Sequence, residues 1–134
     1  MSRVALRRFA TDERGSFGIE YAVAIPVLVT MMIGIMQFAA VLHTSGVMRH
    51  ALGEGLRLAK VDPTATTDEV IAETRGSMKG VDLNKMTNLH FERDQVNATR
   101  MGRMTMTYDL QPIIPFAEIP PITLTETRQV YLPS

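Results

Sequence analysis

Cysteine and tryptophan are absent from the 134 residues, and neither sign of charge is in excess, with 14 Lys+Arg against 14 Asp+Glu. Without cysteine there is no disulfide, no Cys-ligated zinc and no thiol nucleophile. Without a basic surplus there is no electrostatic ground for nucleic acid as a partner. The length holds one small domain and excludes a multidomain enzyme. Paired catalytic carboxylates, phosphate-cradling glycine loops and nucleophile triads are missing as patterns, so the sequence reads as a non-enzyme that calls for no cofactor. His43 and His50 lie two helical turns apart and His90 far away. Zinc needs three or four convergent ligands, so no metal site is expected.

What is present is an uneven placement of charge. Residues 21–42, YAVAIPVLVTMMIGIMQFAAVL, contain no charged side chain over 22 positions. As a helix they would span about 33 Å, slightly more than the roughly 30 Å hydrocarbon core of a bilayer. A buried core helix is the competing reading, but so short a chain has little material to wrap a helix that is apolar all round. The expectation is a membrane span.

The flanks orient it. Arg3, Arg7, Arg8 and Arg14 precede the span, and the first basic residue after it is Arg49. Basic weighting therefore keeps the N-terminus cytoplasmic and exports the C-terminal part, which carries 10 basic and 11 acidic residues beyond the span. A cleavable secretory signal fits poorly, because its apolar region is shorter and ends in a small-x-small site, unlike the sequence FAAVLHTSG here.

A carboxylate stands at the border of the apolar run, in Arg14-Gly15-Ser16-Phe17-Gly18-Ile19-Glu20-Tyr21. An ionised side chain such as Asp costs about 2.5–3.5 kcal/mol at a span's centre and less near its edge, and such groups are usually functional or paired. The plain alternative is that Glu20 reaches out to the headgroups from the helix end.

Gly15, four residues and then Glu20-Tyr21, with arginines upstream and an apolar helix downstream, resembles the processing site of type IVb (Flp/Tad) prepilins and pseudopilins. The resemblance implies cleavage after Gly15 by a membrane prepilin peptidase, with a mature chain starting at Ser16. Cleavage would free an α-amino group of reference pKa near 7.7–8.0 about one turn from the Glu20 carboxylate. Its partner would be the chain's own amine or that of a neighbouring subunit, where an ion pair favours docking register more than net stability. Beyond the span, Glu54-Gly55-Leu56-Arg57 resembles the Glu-Gly-x-Arg element of TadE-like pseudopilins. The 134 residues less a 15-residue leader leave 119, too many for a major Flp pilin and too few for the large TadG-like relatives.

Apolar Val47, Met48, Ala51, Leu52, Leu58 and Ala59 continue the helix as an amphipathic stem to about Lys60, although Gly46, Gly53 and Gly55 each cost about 1 kcal/mol and leave a hinge near Gly53 open. Pro26 should kink or locally open the membrane half. Residues 62–67 read as a linker, and Thr66 with Glu69 forms a capping box opening a second helix that ends at Gly80. Met104, Met106, Tyr108 and Leu110 alternate with polar residues as a half-buried strand, residues 122–132 read as another, and residues 89–91 start a third. The connection 111–121 is proline-rich and apolar, which bars it from a central sheet position. Asn97-Ala98-Thr99 satisfies the glycosylation triplet but reads as an ordinary loop. The methionines read as apolar fill in the span and as core near the strand.

The expected fold is α+β: a long pilin-like N-terminal helix packed against a small antiparallel sheet head with one further helix. The expected organisation is a leader at 1–15, a span at 16–43, a stem at 44–61 and an exported head at 62–134. By the resemblance, Gly15, Ser16, Glu20 and Tyr21 form the processing site; Phe17, Glu20, Pro26, Gly34 and Gln37 serve helix packing; and Glu54, Gly55 and Arg57 form the stem motif. The implied partners are the prepilin peptidase, other Tad pilins and pseudopilins, and the inner-membrane assembly platform of a pilus that serves adhesion. The implied place is the bacterial inner membrane, single-pass, with a periplasmic head and incorporation into a surface pilus. The alternative is an uncleaved single-span protein whose head binds an envelope partner.

Overall fold

The structure is a computed structural model that describes residues 13–114 and 118–133, with side chains from Gly18 onward. Most of the leader therefore lies outside the described residues, as do the side chains of Gly15, Ser16 and Phe17. Its first element is a single helix, α1 (Glu13–Val61), of 49 residues. At 1.5 Å per residue it is roughly 73 Å long, about twice what a bilayer requires. The helix is uninterrupted through Pro26, Gly46, Gly53 and Gly55, so neither a break at the proline nor a hinge at Gly53 is present. Thr30 Oγ1 donates to the Pro26 carbonyl at 2.8 Å, a local bond beside the ring that cannot donate one.

Asp62 ends α1. Its carboxylate accepts from the Thr64 N–H at 2.9 Å and the Thr64 hydroxyl at 2.6 Å, turning the chain where Pro63 prevents further helix. The Thr64 hydroxyl bond, followed by the Thr64 N–H bond, holds the Asp62 carboxyl below its ordinary pKa.

Helix α2 (Thr67–Ser77) opens on the expected capping box: Glu69 N–H donates to Thr66 Oγ1 at 3.3 Å, and Thr66 N–H donates to Glu69 Oε2 at 2.7 Å. It ends at Ser77, three residues before Gly80. The Met78 N–H folds back to the Arg75 carbonyl, which turns the Met78 side chain into the core before Gly80, at φ +80°, redirects the chain. A short 3-10 turn, η1 (Leu83–Lys85), leads into the sheet.

Strands β1 (Met86–Val96), β2 (Thr99–Leu110) and β3 (Ile122–Tyr131) pair antiparallel in the order β1-β2-β3. The β1–β2 connection is a two-residue turn with Asn97 at φ 51° and Ala98 at φ 66°, the left-handed pair that matches strand twist in a tight hairpin. This turn holds the Asn97 triplet. In β2, Gly102, Met104, Met106 and Tyr108 point inward and are buried, while Arg103, Thr105 and Thr107 lie on the other face. One core unites the stem and the head: Met48, Ala51, Leu52, Leu56 and Ala59 of α1 pack with Val70 of α2 and with Phe91, Met104, Met106 and Tyr108 of the sheet.

Candidate functional site

The N-terminal half of α1 is apolar and uncovered. Gly15 and Ser16 lie in its first turns, Glu20 is exposed one turn beyond Ser16, and Tyr21 is exposed beside it. Among the described residues, Ile19, Val23, Leu28, Met31, Ile35, Met36 and Phe38 are each more than half exposed. Fully burying such a side chain is worth about 1.5–3 kcal/mol, so this surface demands lipid or other helices. Helix α1 is long and apolar enough to cross a bilayer, with mean hydropathy 2.2 in its most apolar window.

Two of the helix-packing candidates differ in surroundings. Around Gly34 no atom stands within 4 Å of where a Cβ would be, so its small size leaves a shallow notch on the apolar surface. Gln37, in contrast, is engaged from within the chain, its Nε2 donating to the carbonyl of Ile113 at 3.3 Å. Pro26 is exposed on the same half of the helix.

The stem motif divides into two roles. Glu54 and Arg57 form a surface ion pair at 2.8 Å, of a kind worth well under about 1 kcal/mol when solvated. Gly55 is buried at the crossing of α1 and α2, where an added Cβ would overlap Thr74 Oγ1 and come within 3.1 Å of the Val70 carbonyl and 3.2 Å of Met104 Cε. Glycine is required there for close helix approach. Thr74 is itself buried, donating to the Val70 carbonyl at 2.8 Å.

Residues that sequence reasoning passed over hold the stem to the sheet. Glu126, on the inner face of β3, accepts from Ser45 Oγ at 2.8 Å and from Arg49 Nε at 3.0 Å. Nothing in the local pattern marks Glu126, because β3 alternates weakly and its partners lie about eighty residues upstream. On the opposite side of the stem, His43, His50, Glu54, Glu73 and Lys79 line an open groove of about 790 Å³ between α1 and α2. Among the described residues no group of three or more His, Cys, Asp or Glu side chains is placed to hold a metal ion.

One apolar helix whose far half is the spine of a small α+β head defines a class: the layout fits a single-pass membrane protein with a compact domain on one side. Residues 15–57 match the model of the TadE-like protein family, a stretch that runs from the glycine of the processing pattern to the arginine of the stem motif. The family suggests a protein associated with Tad pili. Comparison with curated proteins and with solved structures finds no match.

Proposed function

We propose that the protein is a minor pilin or pseudopilin of a Tad-type pilus, cleaved by a prepilin peptidase between Gly15 and Ser16 and acting in initiation, tip formation or anchoring of the pilus. The observation that carries this reading is the TadE-like match over residues 15–57, which spans the Gly15/Glu20 pattern, the apolar run and the Glu54-Gly55-x-Arg57 element. The uncovered apolar half of α1 supports it, since that surface suits both a bilayer and a bundle of like helices.

In this reading hydrolysis of the Gly15–Ser16 peptide bond supplies a new ammonium group about one turn from Glu20. The Glu20 carboxylate, exposed at the helix border, pairs with an amine at the same depth on a neighbouring subunit and sets the axial register of packing. Gly15 and Gly18 each lower helix propensity by about 1 kcal/mol relative to Ala, which eases local unwinding for a peptidase. The chain orientation follows from the arginines before the span, which keep the leader in the cytoplasm and the head in the periplasm. The protein works by assembly and not by catalysis.

Intact mass and N-terminal sequencing of protein purified from membranes, with and without the peptidase, test the proposal. A peptidase-dependent start at Ser16 is expected, and a start at Met1 or Ser2 overturns it in favour of an uncleaved anchor with a partner-binding head. Gly15→Ala should block maturation. Glu20→Ala should leave cleavage intact and impair piliation, and normal piliation in that variant would refute the register role.

A further inference from the structure

The head has two ends, and the register tells them apart. Val96 pairs with Thr99 at the hairpin end, and Leu110 pairs with Ile122 at the other. The hairpin end belongs to the far end of α1, where Ala59 shares a small cavity with Arg93, Arg100 and Leu132. The opposite end therefore faces the apolar half of α1, and from it hangs the connection 111–121 between β2 and β3.

The first residues of this connection, 111–114, reach down beside the span. Its Ile113 carbonyl meets Gln37, which lies inside the charge-free run and five residues before its end, or about 8 Å along the axis. The Ile113 side chain is 76% exposed, the most exposed large apolar side chain among the described residues. Pro112, Pro120 and Pro121 remove backbone donors that an apolar medium would leave unpaired, and Glu118 is the one charge in residues 111–121. An isolated amide and an isolated carbonyl are each costly to place in hydrocarbon, and the Gln37–Ile113 bond pairs one N–H of the amide with the carbonyl. Ile113 is exposed, and so are Met36 and Phe38, the residues on either side of its partner Gln37 in α1.

We propose that the start of the β2–β3 connection, residues 111–114, is a second membrane contact: Pro112 and Ile113 insert into the outer leaflet at the border of acyl chains and headgroups, so that the head rests on the bilayer instead of standing clear of it. The occupant of this surface is phospholipid. The inference rests on α1 crossing a bilayer, and its test separates the two.

The chain has no tryptophan, so a single introduced indole reports one site. Full-length Ile113→Trp, Phe38→Trp and Val96→Trp variants would be reconstituted in phosphatidylethanolamine/phosphatidylglycerol vesicles, with and without phosphatidylcholine brominated near the headgroup end of the acyl chain. Phe38→Trp reports the span and Val96→Trp the far hairpin. The expected result is blue-shifted emission and marked bromine quenching at positions 38 and 113, with neither at 96. Quenching at 38 without quenching at 113 overturns the loop contact and leaves the span intact. No quenching at 38 overturns both. A blue shift at 113 that grows with protein-to-lipid ratio and ignores bromine assigns the loop to a second copy of the chain, which also overturns the proposal.

Discussion

Two glycines two residues apart on the same helix have opposite requirements. At Gly53 an added Cβ would stand 3.5 Å from the Arg128 guanidinium, an ordinary contact, so Gly53→Ala should be tolerated and gain about 0.5–1 kcal/mol of helix propensity. At Gly55 the same methyl would overlap Thr74 Oγ1, and overpacking of this kind costs typically 1–3 kcal/mol. Thermal unfolding followed by circular dichroism should separate the two variants in opposite directions, and Thr74→Ala should partly restore the stability of Gly55→Ala. Tyr108 makes a prediction in pH. Its side chain is 2% exposed, and burial, aided by the Asp82 charge and opposed by a contact with the Asp82 backbone, raises its pKa above the ordinary 10.0. The unfolded chain then loses this proton first as pH rises. Stability should hold below about pH 10 and fall as pH climbs from there towards the folded value. Melting temperature against pH for the parent and Tyr108→Phe should show a shallower alkaline decline in the variant.

At the scale of elements, what was legible was local. The Thr66/Glu69 box is four residues long and forms as the pattern requires, so Thr66→Ala should cost about 1 kcal/mol in denaturant titration. The alternation in β2 was equally plain, because that strand is central and one of its faces lies against the helices. Strand β1 was visible only around residues 89–91, since Phe91 is its one fully buried residue and its other positions are partly or wholly exposed. Glycine propensities argued for a hinge in the stem, and tertiary packing prevailed: Gly55 is the price of a close crossing with α2, not a point of weakness. The site residues that could not be read from the sequence depend on distant partners. Thr74 lies nineteen residues beyond Gly55, and the Gln37–Ile113 bond joins positions seventy-six apart. The Gly15/Glu20 pattern is of another kind, carried by spacing alone and not by tertiary contact, and the TadE-like match begins at its glycine.

At the scale of the whole molecule, the buried hydrophobic residues among those described begin at Met48, and none of them lies in the N-terminal half of α1. Among the described residues the span contributes no buried hydrophobic side chain to the core of the head. A fragment from His43 onward should therefore be a cooperatively folding, water-soluble domain, recognisable by dispersed amide resonances and a single melting transition. Collapse of that fragment into a molten state would show that the span holds the head together. The fragment should also keep the bond between Arg49 and Glu126, because both partners lie on its side of the boundary.

The continuity of α1 has a mechanical consequence. A head strung on a flexible tether would be indifferent to what happens to its anchor, but here the anchor and the spine of the head are one unbroken rod. The nineteen residues from His43 to Val61 make an arm of roughly 28 Å. A tilt of about ten degrees imposed on the apolar half of the rod would swing the far hairpin by about 5 Å on that arm. A change of tilt at the apolar end is thereby carried along the rod and emerges as a rotation of the whole head.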